Sequence, residues 1–402
     1  MISSEYTRDL CIRDAQSKIL MLVIDGLGGL PNPETGKSEL ETAHLPNLDN
    51  LAARSSCGLI SPLGAGFTPG SGPAHLALFG YDPWKTKIGR GALSALGLGL
   101  DFGKGDVAVR LNFCNVDENG NVIDRRAGRL PTEVARKLCR ELDKIAIPGI
   151  EISVAAEMEY RAAVVFRGEG LFDGVGDSDP QVTGVPPREL EADDSNSLRM
   201  VGVANQFLRD ARDLLADQET ANMILMRGFG RYPEMDSFQD VYGLKSLGIA
   251  GYPMYRGVAG AVGMETVEVD WDLESELKLY EEKRSEYDFF YFHVKKTDSA
   301  GEDGNFIRKV ELLEEIDNSI PRLLKQTPDV FIVTGDHSTP AIMRSHSWHP
   351  VPTLVSSEWA LSGSTKEFSE RGCQNGSLGV IPSSSLLAIA LAHAKRLSKF
   401  GA

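Results

Sequence analysis

The 402-residue chain contains no C-x-x-C pair, and its five cysteines (Cys11, Cys57, Cys114, Cys139, Cys373) are scattered. That pattern argues for reduced thiols, against a disulfide framework or a thiolate zinc site. No apolar run approaches the roughly 20 residues needed to cross a bilayer, so a membrane partner is not expected. The first residues, Met1 to Lys18, are polar and charged, unlike a secretory signal, and the cytoplasm is the expected location. Positive charge is in short supply: 42 Lys and Arg against 57 Asp and Glu leave a net charge of −15. A general nucleic-acid binder needs a basic face, so nucleic acid is not expected either. A small anion stays compatible, because local arginines and metal ions make a positive pocket in a negative protein. Histidine is sparse as well, with seven in the chain, yet three of them (His337, His346, His349) fall within 337–349.

What is present is a set of apolar runs that end in carboxylates. Ile19 to Ile24 runs into Asp25, Phe289 to Val294 leads to Asp298, and Val330 to Val333 leads through Thr334-Gly335 to Asp336-His337. Continuous apolar runs of this length read as strands buried on both faces. In open α/β sheets, ligands bind at the carboxyl ends of the strands. Acids 38 to 311 positions apart in sequence are therefore expected together on one edge of one sheet.

Strand–helix alternation covers both ends of the chain, with strands expected at 19–25, 57–63, 105–116, 247–250, 288–295, 330–334 and 352–356. Between about 117 and 235 the character changes. Runs at 151–154 and 162–166 read as antiparallel strands, a polar stretch follows at 175–197, and an amphipathic helix spans about 198–217. The expected organisation is an α/β core from 1–116 and 236–402, with an inserted α+β domain at 117–235. A helix is expected at 305–325, and the serine run Ser383 to Ser385 is a candidate cap for the C-terminal helix.

Several motifs in this frame carry chemistry. Asp25 precedes Gly26-Leu27-Gly28-Gly29, but Pro31 stands where a dinucleotide fingerprint needs its last glycine. The Asp336-His337 pair offers oxygen and nitrogen to a divalent ion, and the nearby His346 strengthens that reading over a buried histidine bonded to a carboxylate. Asp298 and Glu302, at i and i+4 in an acidic loop, are able to converge on one hard cation. Ser71 sits between glycines in Thr68-Pro69-Gly70-Ser71-Gly72-Pro73, at the start of a helix-like stretch. Free N–H groups there favour a phosphate, and a metal ion would make the hydroxyl a nucleophile; the plainer reading is a helix-capping serine. Arg110 at a strand end, Arg125, Arg126 and Arg129 in a turn-like run, Arg161 inside a strand pattern and Arg227 before Gly228 suit an anionic substrate as a group.

Together these pieces resemble the alkaline phosphatase superfamily, and more narrowly the archaeal type of cofactor-independent phosphoglycerate mutases. The matching stretches include Val-Ile-Asp25-Gly-Leu-Gly, Thr-Pro-Gly-Ser71-Gly-Pro-Ala-His75, Asp-Arg-Arg-Ala-Gly-Arg, Asp177-Ser-Asp179-Pro, Lys-Lys-Thr-Asp298-Ser-Ala-Gly-Glu302 and Thr-Gly-Asp336-His337-Ser-Thr-Pro. They occur in order from about 17 to 395. The resemblance implies a three-layer αβα core with a mainly parallel central sheet and an inserted lid domain. It implies two divalent metal ions, manganese first, with magnesium, cobalt or zinc as alternatives. Ser71 would carry the phosphoryl group as phosphoserine. Asp25, Ser71, Asp336 and His337 would hold one ion; Asp298, Glu302 and His346 the other, with His349 as a competitor for His346. Glu302 departs from the bacterial branch, which has histidine there. Arg110, Arg126, Arg129, Arg161 and Arg227 would bind the substrate, and Asp177 or Asp179 would move a proton on the glycerate hydroxyl. The implied reaction interconverts 3- and 2-phosphoglycerate; the partner is thus a small phosphoglycerate, with room for a homo-oligomer. The alternative on the same scaffold is a metal-dependent phosphatase or other phosphotransferase. A non-catalytic binding module leaves the glycine-flanked serine without a purpose.

Overall fold

A computed structural model describes residues 4–86 and 88–401. Its strands, in chain order, are β1 (Ile19–Ile24), β2 (Ser56–Ser61), β3 (Val107–Val116), β4 (Val122–Asp124), β5 (Glu151–Met158), β6 (Arg161–Arg167), β7 (Met223–Arg231), β8 (Ser246–Ala250), β9 (Glu265–Thr266), β10 (Phe289–Val294), β11 (Val330–Thr334), β12 (Val351–Ser357) and β13 (Gly379–Pro382). The chain divides into two compact units, one of residues 1–87, 236–252 and 262–402, the other of 88–235 and 253–261.

The first unit is built on an eight-stranded sheet in the order β13-β2-β12-β11-β1-β10-β8-β9. Its centre is parallel: β1 pairs with β10 and β11, and β10 pairs with β8. β12 runs antiparallel to both β11 and β2. Every residue of β1, β10 and β11 is buried, so both faces of the sheet are covered, as an αβα core requires. The register brings the strand ends level. Ile24 lies opposite Val294, Val23 opposite Thr334, and Asp25 N–H donates to the Val294 carbonyl at 2.9 Å. Asp25 and Asp336 therefore leave the sheet at the same edge, and the chain after β10 turns there into Asp298.

The segment carrying Asp298 is not the expected acidic loop. It folds as the helix Lys296–Glu302, beginning almost at once after β10, so Asp298 and Glu302 lie one turn apart on one helical face. The helix after the Gly/Pro loop likewise starts earlier than its apolar residues suggest, at Ser71–Leu78. The serine run Ser383–Ser385 forms a 3₁₀ turn, and no side-chain cap bond is made where it meets the helix Leu386–His393.

The second unit holds a smaller antiparallel sheet, β4-β3-β6-β5, with β7 on the other side of β3. It begins at residue 88 rather than 117, because β3 is the central strand of this sheet, bonded to both β6 and β7. Residues 253–261 join it through packing too close for side chains. A Cβ on Gly97 would meet the Pro253 carbonyl oxygen at 1.9 Å, and one on Gly257 would meet that of Leu93 at 1.9 Å. The helices Arg90–Gly97 and Pro253–Ala261 thus meet backbone to backbone. A core of β3, β6 and β7 side chains against the helices Thr132–Leu142 and Leu198–Leu215 completes the unit.

Candidate functional site

Asp25 and Asp336 are each placed by a turn that leaves a buried strand, and Asp298 by the first turn of the helix that follows β10. Asp25, Asp336 and His337 are fully buried, and their donor atoms lie within 4.8 Å of one another. Asp298, His337 and His346 form a second group on the same criterion, so His337 belongs to both. Its Nε2 lies 3.4 Å from Asp25 Oδ1, 3.1 Å from Asp336 Oδ2 and 3.4 Å from Ser71 Oγ. Gly70, not Ser71, is the N-cap residue of the serine's helix, so the hydroxyl is not used as the helix cap.

The geometry leaves one ring nitrogen of His346, the one facing the acids, available as a lone pair. His346 Nδ1 pairs with the Pro69 carbonyl at 2.9 Å, which requires the proton on Nδ1. His346 Nε2 then faces Asp298 Oδ1 at 3.5 Å and Glu302 Oε1 at 3.7 Å. Glu302 itself is exposed and stands at the rim, outside both compact groups. His349 points elsewhere, with its Nδ1 3.1 Å from Ser347 Oγ and its ring stacked on Trp348. Thr339 links the two groups: its hydroxyl donates to Asp298 Oδ1 at 2.6 Å and lies 3.0 Å from His337 Nδ1.

Three carboxylates at such spacing form an excess of negative charge. Burial and the neighbouring Asp336 push the Asp25 carboxyl up, but Lys295 and His293 leave it below its ordinary value. Burial works against Asp336 too, yet His337, His75 and His293 hold it well below the carboxylate range. On His337, burial opposes protonation; Asp336, Asp25 and Asp298 overcome it and raise the imidazole to about 9. Lys295 pairs with Asp25 Oδ2 at 3.3 Å and with Asp298 Oδ2. Even so, both Asp25 oxygens and Asp336 Oδ2 have no hydrogen-bond partner among the described residues; the groups facing them stand 3.1–3.5 Å away. Buried carboxylate oxygens left this way are costly unless a cation takes them. The mixed oxygen and imidazole donor set fits divalent first-row metals.

Two further histidines support this cluster and were not singled out from the sequence. His75 hydrogen-bonds the Ser71 carbonyl at 2.8 Å and faces Asp336 at 3.5 Å; its burial lowers it to about 4, so it is neutral. His293 faces Asp25 Oδ2 at 3.4 Å. Both sit inside apolar stretches, where sequence patterning reads core. Lys295 and Thr339 were missed for the opposite reason, because polar residues at strand ends and turns are common.

The second unit collects arginines. Arg110 lies mid-strand in β3 rather than at a strand end, 3.7 Å from Glu157. Arg227 reaches Asp177 at 3.7 Å and Asp179 at 3.3 Å. Arg90, absent from the sequence-based candidates, is close enough to both that burial, then Arg227 and Arg110, lower its affinity for a proton. Such crowding of guanidinium groups favours an anion. Asp179 is fully buried, is gripped by the Arg125 fork at 2.8 and 2.9 Å, and accepts from Gln181 N–H at 2.8 Å. Burial opposes its ionisation, but these bonds keep its carboxyl below the ordinary value. Asp177 is more open and accepts from Gly228 N–H at 2.7 Å. Arg126 and Arg129 are exposed, with Arg129 3.8 Å from Glu159, and Arg161 lies 5.1 Å over the Tyr160 ring.

An α/β core with two carboxylate–histidine groups meeting at one imidazole, beside a serine at a helix start, has the donor set for divalent cations next to a hydroxyl that they could activate. A family model for 2,3-bisphosphoglycerate-independent phosphoglycerate mutase matches residues 52–221. A Thermus thermophilus protein described as a probable mutase of that kind is 50% identical over 96% of this chain and 96% of its own length. Its Aquifex aeolicus counterpart is 46% identical over 96% and 97%. Among solved structures, the cofactor-independent phosphoglycerate mutase of Thermoplasma acidophilum aligns with a TM-score of 0.70 at 28% identity, covering 94% of this chain and 100% of that one. A Pyrococcus horikoshii protein aligns at 0.84 and 29% identity, over 96% and 100%. The chain belongs to the 2,3-bisphosphoglycerate-independent phosphoglycerate mutase family. Among the described residues, no helix is long and apolar enough to cross a membrane.

Proposed function

We propose that this protein interconverts 3-phosphoglycerate and 2-phosphoglycerate through a phosphoserine at Ser71, without 2,3-bisphosphoglycerate. The observation that carries the reading is the position of Ser71 Oγ, 3.4 Å from Nε2 of His337, the imidazole common to both donor groups. Asp25, Asp336, His337 and Ser71 hold one divalent ion, and Asp298 and His346, with Glu302 at the rim, hold a second; manganese suits this donor set, with magnesium, cobalt or zinc as substitutes. When bound, the ions lower the serine pKa and neutralise charge on the phosphoryl oxygens. Ser71 Oγ gives up its proton and forms a bond to phosphorus as the bond from phosphorus to O3 of glycerate breaks and O3 takes up a proton; in the return step the 2-hydroxyl gives up its proton, its oxygen bonds phosphorus and the Oγ–P bond breaks, regenerating Ser71.

The second unit supplies the anion-binding residues. Arg110 and Arg227, together with Arg90, take the phosphate or carboxylate, and Arg126, Arg129 and Arg161 complete the set. Asp177 is the better proton carrier for the glycerate hydroxyl, because Asp179 is committed to Arg125 and Gln181 and stays ionised. The glycerate must be retained and water excluded while Ser71 is phosphorylated, which gives the second unit its purpose.

The competing activity on this scaffold is phosphate release to water. Incubation with 3-phosphoglycerate and Mn²⁺, with no 2,3-bisphosphoglycerate, separates the two. The proposal expects 2-phosphoglycerate and little free phosphate; phosphate without the isomer identifies a phosphatase.

A further inference from the structure

Behind the metal-facing turns lies a second cluster of buried charge that takes no part in the proposed chemistry. Lys309, on the helix Phe306–Lys325, and Glu39 are both fully buried. Lys309 Nζ donates to the Gly28 carbonyl at 3.1 Å and to the Thr339 carbonyl at 2.9 Å. Glu39 Oε1 accepts from Ala341 N–H at 2.7 Å. Glu370, only partly buried, accepts from Gly29 N–H at 2.7 Å and from Ser38 Oγ at 2.5 Å.

These contacts share a destination. Gly28 and Gly29 follow Asp25, while Thr339 and Ala341 follow Asp336-His337. The two turns also meet directly, with Thr339 N–H donating to the Gly28 carbonyl at 3.0 Å and Ser338 bridging to Leu27 and Gly28. There is no slack between them: a Cβ on Gly28 would lie 2.0 Å from Ser338 Oγ, and one on Gly29 would lie 1.9 Å from Glu39 Oε2. Burying an ammonium and carboxylates costs free energy, and apolar residues of similar volume are often as good for stability. Stability alone therefore gives this cluster no reason to exist, whereas its contacts do.

We propose that Lys309, Glu39 and Glu370 are positioning residues that fix the backbone of the two turns, and with it the separation of Asp25 from His337. They thereby set divalent-cation affinity without touching the cation. The inference rests on reading the site as a metal centre. Residues behind first-coordination ligands typically change metal affinity about 10- to 100-fold when removed.

The test is titration of the full chain with Mn²⁺ alone, reading free Mn²⁺ by electron paramagnetic resonance, with metal-free Tm in parallel. Lys309→Met should weaken binding about 10- to 100-fold. Glu370→Ala, at the partly exposed margin, should weaken it by a smaller factor while remaining folded, and it decides the matter if Lys309→Met does not fold. Glu39→Ala, which removes the acceptor for Ala341 N–H, should weaken binding as Lys309→Met does, and Glu39→Gln, which keeps it, should restore most of the loss. Folded Lys309→Met and Glu370→Ala variants with lowered Tm but parental Mn²⁺ affinity would show a structural role only and overturn the inference. A parent chain that binds no Mn²⁺ overturns the metal reading as well, so the two failures are distinguishable.

Discussion

The two units gather charge of opposite sign, and they do so in different ways. In the first, Asp25, Asp298 and Asp336 are brought together by strand ends and held in full burial. In the second, Arg90, Arg110 and Arg227 converge along the sheet and its flanking helix, with Arg110 and Arg227 retaining partial exposure. The carboxylates cannot reach water, so they require a cation and tolerate little movement. The arginines keep their solvent contact, as suits the anion-binding role proposed for them. Within the deep cluster the environment drives two imidazoles apart, His75 down to about 4 and His337 up to about 9.

The largest break falls on Ser71, the serine beside the deep cluster of the first unit. Ser71→Ala should lower turnover of 3-phosphoglycerate on the order of 10⁴-fold or more, the scale seen when a nucleophile is removed, measured by coupled detection of 2-phosphoglycerate. Surviving turnover would mean another nucleophile. Next is the deep cluster. Asp336→Asn should cost about 10²-fold or more in Mn²⁺ affinity, read by calorimetry, because it takes a donor from a site with no spare ligand. On the arginine side, Arg227→Lys should lower kcat/KM about 10²-fold and leave Mn²⁺ affinity unchanged, since a lysine cannot reproduce the fork. If instead Arg227→Lys shifts metal affinity, the two charge clusters do not act separately.

The smallest effect expected is in pH, and its sign differs for two histidines. His337 is raised from 6.5 to about 9, so its stabilisation of the metal-free protein is complete below 6.5 and is lost as pH rises to 9. His75 is lowered from 6.5 to about 4, so the folded form loses stability as pH falls from 6.5 towards 4. Chelator-treated protein should therefore show its highest Tm near pH 6.5. Saturating Mn²⁺ should flatten the alkaline limb, because the cation takes the place of the His337 proton. A metal-free Tm that keeps rising to pH 9 contradicts the charges assigned to His337.

Much of this architecture was legible in the sequence, for physical reasons. A strand buried on both faces has nowhere to place a polar residue except its end, so Asp25 and Asp336 announced themselves. The tightness of their convergence was not legible, because strand register is set by pairing rather than by either strand alone. Patterning placed β3 with the metal-binding core, since its apolar run resembles the other core strands; only its pairing with β6 and β7 assigns it to the second unit. The Asp298 segment read as loop because glycine and serine dilute the helical signal in Lys296–Glu302. Lys309 was hidden by its position in an otherwise ordinary amphipathic helix, where a lysine reads as solvated.

The most direct test of the central claim is to quench the protein during turnover of 3-phosphoglycerate with Mn²⁺, and again after chelation, and to map phosphorylation by peptide mass spectrometry. The account predicts one phosphoryl group on the peptide containing Ser71, present only with metal and absent in Ser71→Ala. Metal-supported formation of 2-phosphoglycerate with no phosphoryl group on Ser71 would contradict it.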